Sequence, residues 1–158
     1  MNTEHFKKGD LLKKAVNEGE YSVLRVVSVS DNDVMVIDCI KKLMPKWCGI
    51  EELEGYEVEQ ENEAEMELSQ PALKKAYDRY NMISSILPYI GNVQVRSQLI
   101  HMTAEQYGIS EQTVRKYICD YLAANDVAAL APRSRTERAL SKDEEIMKKS
   151  LNIGYYSS

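Results

Sequence analysis

The sequence predicts an α+β protein in which a small antiparallel β-domain precedes a three-helix, helix-turn-helix domain and a C-terminal helical extension. Three observations carry that expectation. Residues 21–29, YSVLRVVSV, and 34–40, VMVIDCI, are β-branched and aromatic runs separated by Asp31, Asn32 and Asp33, the pattern of a hairpin. From Pro71 onward the apolar residues recur at three and four, the helical period. Within residues 102–122, MTAEQYGISEQTVRKYICDYL, two such patterns meet at a turn around Gly108.

Taken in order, Lys8, Gly9 and Asp10 lead into Leu11 and Leu12, which join the hairpin and the residues around Pro45 and Trp47 in a β-domain, because a lone hairpin is not stable. Residues 51–67 hold nine glutamates against few apolar anchors and read as an exposed acidic linker with one short strand at Tyr56 to Val58. The β-rich domain and this linker occupy residues 1–68. Ser69, Gln70 and Pro71 start a helix whose face is Leu73, Tyr77, Tyr80, Ile83 and Leu87, running to Pro88. Gly91 and Asn92 interrupt it, and VQVRSQLIHMTAEQY begins the next helix, with Val95, Leu99 and Met102 or Thr103 leading into the turn. The helical domain spans residues 69–132.

The turn carries the functional signal. Ala104 is small where another helix crosses it, Gly108 supplies the left-handed stop, Ile109 plugs the turn, and Ser110 caps a new helix with Glu111 at its positive end. Val114, Tyr117, Ile118 and Tyr121 turn inward, which leaves Gln112, Arg115, Lys116 and Cys119 outward. A helix starting with Gln112, Thr113 and Arg115 on its free side can enter a major groove and reach base edges. A three-helix bundle with a merely solvated face is the competing reading.

Residues 133–158 read as a basic linker and the start of a further domain. Arg133, Arg135 and Arg138 in RSRTER suit phosphates or a minor groove, and Ser141 with Glu144 forms a capping box for a last helix bearing Ile146, Met147 and Leu151.

Composition removes several classes. The 158 residues hold no apolar run long enough to span a bilayer, and the polar start MNTEHFKKGD is unlike a signal peptide, so a cytoplasmic protein with no membrane partner is expected. Cys39, Cys48 and Cys119 are too scattered for a disulfide framework, and with His5 and His101 they lack metal-ligand spacing. No Ser-His-Asp order or Gly-rich phosphate loop is present. We therefore expect no catalytic residue, metal or cofactor. The net charge of −5 is segregated: eight Lys and Arg oppose sixteen Asp and Glu before Pro71, whereas twelve oppose nine from there on. On that division the second half suits DNA and the first is repelled by it.

The runs ILPYIGN (residues 86–92), RSQLI (96–100) and YGISEQTVRKYICDYLAANDVAALAP (107–132), preceded by LRVVSVSDNDVMVIDCIKKLMPKW (24–47), resemble the N-terminal part of bacterial DDE transposases of the Mu and TnsB-like group. The resemblance covers nearly the whole chain as short matches in order. It implies that the helix from Ser110 onward docks on transposon-end repeats through Gln112, Thr113, Arg115 and Lys116. It further implies that Arg96 contacts the DNA backbone and that Arg133, Arg135 and Arg138 form a basic connector. Self-association and other transposition proteins are further implied partners. The RNase-H-like domain that carries the metal-binding carboxylates of such enzymes has no room after Pro132, so the chain reads as the non-enzymatic part of a transposase. Two alternatives remain: a small dimeric transcriptional regulator, and a protein-docking module of a transposition complex.

Overall fold

The computed structural model of the protein describes residues 5–60 and 67–132. Strand β3 (Asp33–Asp38) organises it, because its apolar run is buried on both faces. Alternate side chains of a strand point to opposite sides. Val34 and Val36 therefore join one core with Leu12, Val26, Cys48 and Leu53, while Met35 and Ile37 join another with Val27 and the helices.

Around β3 lie β1 (Leu11–Asn17), β2 (Glu20–Val29), β4 (Lys46–Gly49) and β5 (Glu57–Glu59), in the order β4-β3-β2-β1-β5 with every pair antiparallel. The β2–β3 hairpin closes as its turn residues predict: the Ser30 amide donates to the Asp33 carbonyl at 2.9 Å, and the Asp33 amide to Ser30 Oγ at 3.1 Å. Between β1 and β2, Gly19 takes a positive φ of 77°, which an L side chain would strain.

The expected acidic linker is in part structural. Residues Ile50–Leu53 form a 3-10 turn that buries Leu53 in the inner core, and β5 then pairs with β1, Val58 opposite Leu12. Tyr56 OH lies 2.7 Å from Ser22 Oγ on β2. Glutamates dominate the composition there, yet one buried leucine and a short ladder suffice to hold the backbone. Residues 61–66 lie outside the described residues.

Helix α1 (Gln70–Ile83) is capped by Ser69, whose Oγ accepts the Ala72 amide at 3.3 Å, with Pro71 in its first turn. It is shorter than expected: Leu87 to Tyr89 form a separate 3-10 turn, since Pro88 has no amide hydrogen to continue the ladder. Its buried residues are Ala76 and the expected Ile83, whereas Tyr77 is exposed. Helix α2 (Val93–Tyr107) starts on Asn92, whose side chain accepts the Val95 amide, and buries Ile100, Thr103 and Ala104 while leaving Met102 exposed. Helix α3 (Glu111–Ala124) ends at Asn125 in the left-handed conformation, and a 3-10 turn, Val127–Leu130, buries Leu130.

The helices cover the outer face of the sheet. Ile83, Ile86, Ile100, Val114, Ile118 and Leu130 share one core with Val27, Met35 and Ile37, so buried contacts cross the boundary between sheet and helices. Polar ties reinforce this. Trp47 Nε1 on β4 donates to the Gly91 carbonyl before α2 at 3.0 Å, and Arg25 on β2 donates to the Ala123 carbonyl at the end of α3. The position of α3 relative to the sheet is thus set by both apolar and directional contacts.

Candidate nucleic-acid interface

The candidate surface begins at the α2–α3 junction. Gly108 has φ 66°, and both its amide and that of Ile109 turn back to the Ala104 carbonyl, which closes α2 and reverses the chain. Ala104, only 6% exposed, leaves room for α3 to approach. Ser110 Oγ accepts the Thr113 amide at 3.1 Å and lies 2.8 Å from Thr113 Oγ1. Thr113 is half-buried, so its hydroxyl serves the helix cap.

Val114, Ile118, Cys119 and Ala123 are the buried side of α3; Gln112, Arg115 and Lys116 are exposed. The cations are lightly held. Arg115 lies 3.4 Å from Glu111 Oε1, and Lys116 Nζ lies 2.6 Å from Asp120 Oδ2. An exposed i,i+4 pair such as Arg115–Glu111 contributes about 0.3–0.5 kcal/mol, too little to hold the arginine against a competing anion, and the Lys116 side chain itself is 69% exposed. Glu111 also faces His101 of α2, whose Nδ1 is 3.1 Å away, with Glu105 near Nε2 at 3.3 Å. The Glu111 hydrogen bond, then Glu105, raise the His101 pKa above its ordinary value.

Two expected side chains are placed differently. Cys119 does not face outward: it is 5% exposed, its Sγ is 3.6 Å from Met44 Sδ, and burial followed by Asp120 pushes its pKa up to about 11. Helical spacing alone put it beside Arg115 and Lys116, but the β3–β4 loop covers that part of α3. Arg96, singled out as a backbone contact, is half-buried and donates to the Pro45 carbonyl at 3.1 Å and the Ile90 carbonyl at 3.0 Å. Burial lowers its pKa. In this arrangement it braces the loop against α2. Arg133, Arg135 and Arg138 lie outside the described residues.

The structure also brings in residues that the sequence reading passed over. An open cleft of about 680 Å³ runs between the exposed side of α3 and the β3–β4 loop, with Lys42 and Leu43 on one wall and Gln112, Arg115 and Lys116 on the other. Lys42 Nζ lies 3.4 Å from Asp120 Oδ1, so one carboxylate holds a lysine from each wall. The signal was present as IKKLMPK, seven residues with three lysines, but averaging charge over the acidic first half hid it.

Among the described residues no three His, Cys, Asp or Glu side chains converge as a metal site, and no helix is long and apolar enough to cross a membrane. No family model and no curated protein matches this chain.

Proposed function

We propose that the protein binds duplex DNA, with α2 and α3 acting as a helix-turn-helix, and that it is the non-catalytic, transposon-end-recognising part of a Mu or TnsB-like DDE transposase. The observation that supports DNA binding is the exposed first half of α3: Gln112, Arg115 and Lys116 stand free of the core on a helix whose opposite side, Val114 and Ile118, is fully buried. Arg is the commonest side chain to read guanine through two hydrogen bonds, Gln pairs similarly with adenine, and Lys meets phosphate as a point charge. Ser110 and Thr113 hold the helix start in place. Arg133, Arg135 and Arg138 add three cations to the sequence directly after Pro132.

The transposase assignment rests on the ordered sequence resemblance alone. Selection from a pool of random-sequence duplexes tests the binding reading. An enriched motif is expected, and Arg115→Ala should weaken the selected duplex by about 1–3 kcal/mol relative to the unselected pool. Equal binding of every duplex, untouched by Arg115→Ala, would overturn base reading by α3.

A further inference from the structure

We propose that the β3–β4 loop, residues 40–44, is a second DNA-contacting element, in which Lys41 and Lys42 grip the phosphate backbone beside the groove that α3 enters. The inference rests on the DNA-binding reading above and extends it to the half of the chain whose net charge argued against such contact. Local charge governs phosphate contact, and net charge does not.

The loop is built for a fixed presentation. At its start, Asp38 Oδ1 accepts the amides of Ile40 at 2.9 Å and Lys41 at 2.8 Å, while the Lys42 amide donates to the Asp38 carbonyl at 2.8 Å. Lys42 is thereby held at φ 52°, a left-handed conformation uncommon for a side chain of this kind. At its other end Pro45 is buried with its carbonyl on Arg96, and Met44 packs on Cys119. The tip cannot drift away from α3, because both of its ends are tied.

What the tip presents is cationic. Lys41, Lys42 and Leu43 are exposed, and Lys42 faces Arg115 and Lys116 across the cleft. The acids facing this surface are Asp120, which holds Lys42 and Lys116, Glu111, which holds Arg115 and His101, and, on the Lys41 side of the loop, Asp38 and Glu52. A phosphate arriving at the mouth of the cleft competes with Asp120 for both lysines. Asp120 thus stands in for the anion in the free protein and opposes it in the complex. The division of labour follows from the chemistry: the loop contributes affinity without sequence preference, and α3 contributes the preference.

The test uses the full chain and the random-duplex pool as probe, with the variants Lys41→Gln and Lys42→Asn combined, because Asn tolerates the left-handed conformation at position 42. Far-UV circular dichroism and Trp47 emission should match the parent. The slope of log binding constant against log salt should shrink by roughly 1.8, about 0.9 for each lost phosphate contact, with the selected motif unchanged. Asp120→Asn should act in the opposite direction and raise affinity for the pool severalfold. If the double variant keeps the parent's affinity and salt slope while Arg115→Ala still erases the motif, the loop is no contact and DNA reading by α3 stands. Absence of binding by the parent chain to any duplex would remove both.

Discussion

Arg25 Nε lies 2.7 Å from the carbonyl oxygen of Ala123, 98 positions away, and so joins the second strand of the sheet to the last turn of α3. The last carbonyls of a helix have no partner within it and carry its partial negative charge. A guanidinium placed there satisfies one and meets the dipole favourably. The same side chain donates through a terminal nitrogen to the Gly9 carbonyl at 2.9 Å, and only 5% of Arg25 is exposed. The entrance to β1, the middle of β2 and the end of α3 therefore share one cation.

Replacing Arg25 with Met keeps much of the apolar stem and removes the donors, leaving two carbonyls without this partner. The expected loss of stability is about 3 kcal/mol, since hydrogen bonds from a charged donor contribute roughly 1.5–3 kcal/mol each and do not add fully. Urea unfolding followed by circular dichroism measures it. A change below about 0.5 kcal/mol, the range of ordinary surface substitutions, would mean that the apolar contacts alone hold α3 on the sheet.

The two turn glycines should fail in different ways. A Cβ at Gly108 would meet nothing within 4 Å, so Gly108→Ala costs only the left-handed backbone, about 1 kcal/mol. A Cβ at Gly91 would lie 3.0 Å from the Trp47 ring, so Gly91→Ala must displace that ring. Trp47 is the single tryptophan in the chain, which makes its emission a direct report. We expect a shifted spectrum for Gly91→Ala and an unshifted one for Gly108→Ala. The reverse pattern would show that Trp47 does not rest on Gly91.

His101 offers a test by pH. Its pKa is raised first by the Glu111 hydrogen bond and then by Glu105, so the folded protein holds this proton more tightly than the unfolded chain does. The stabilisation is fully present below the unfolded value, about 6.5, and is lost as pH rises through the higher folded value. Nuclear magnetic resonance of the His101 ring should give a midpoint above that of a free histidine, and Glu111→Gln should bring it down. A midpoint indifferent to Glu111→Gln would mean that the bond between α2 and the start of α3 is not kept in solution.

Much of the helical half was legible because its signals are local. Asn92, Gly108 and Ser110 act on backbone groups within about one turn of themselves, and the bounds of α2 and α3 fall where these residues require. The hairpin was legible for the same reason, since Ser30 and Asp33 close it between them. The β3 run was visible too, and a strand apolar on consecutive residues is one buried on both faces. In residues 51–59 the short strand was legible, and β5 falls one residue later than Tyr56–Val58; the high glutamate count concealed only the turn that buries Leu53 once β1 and β2 are alongside.

By itself, the order of amino acids determined which segments become strand or helix and where the chain reverses, because those choices are made by neighbours a few residues apart. Only the tertiary structure decided which side chains stay free. Cys119 lost its exposure to Met44, 75 positions earlier; Arg96 was drawn to Pro45, 51 positions earlier; and Lys42 came to share Asp120 with Lys116. Spacing along a helix names the residues on one side of it, but what covers that side is settled by the packing of distant elements around a common core.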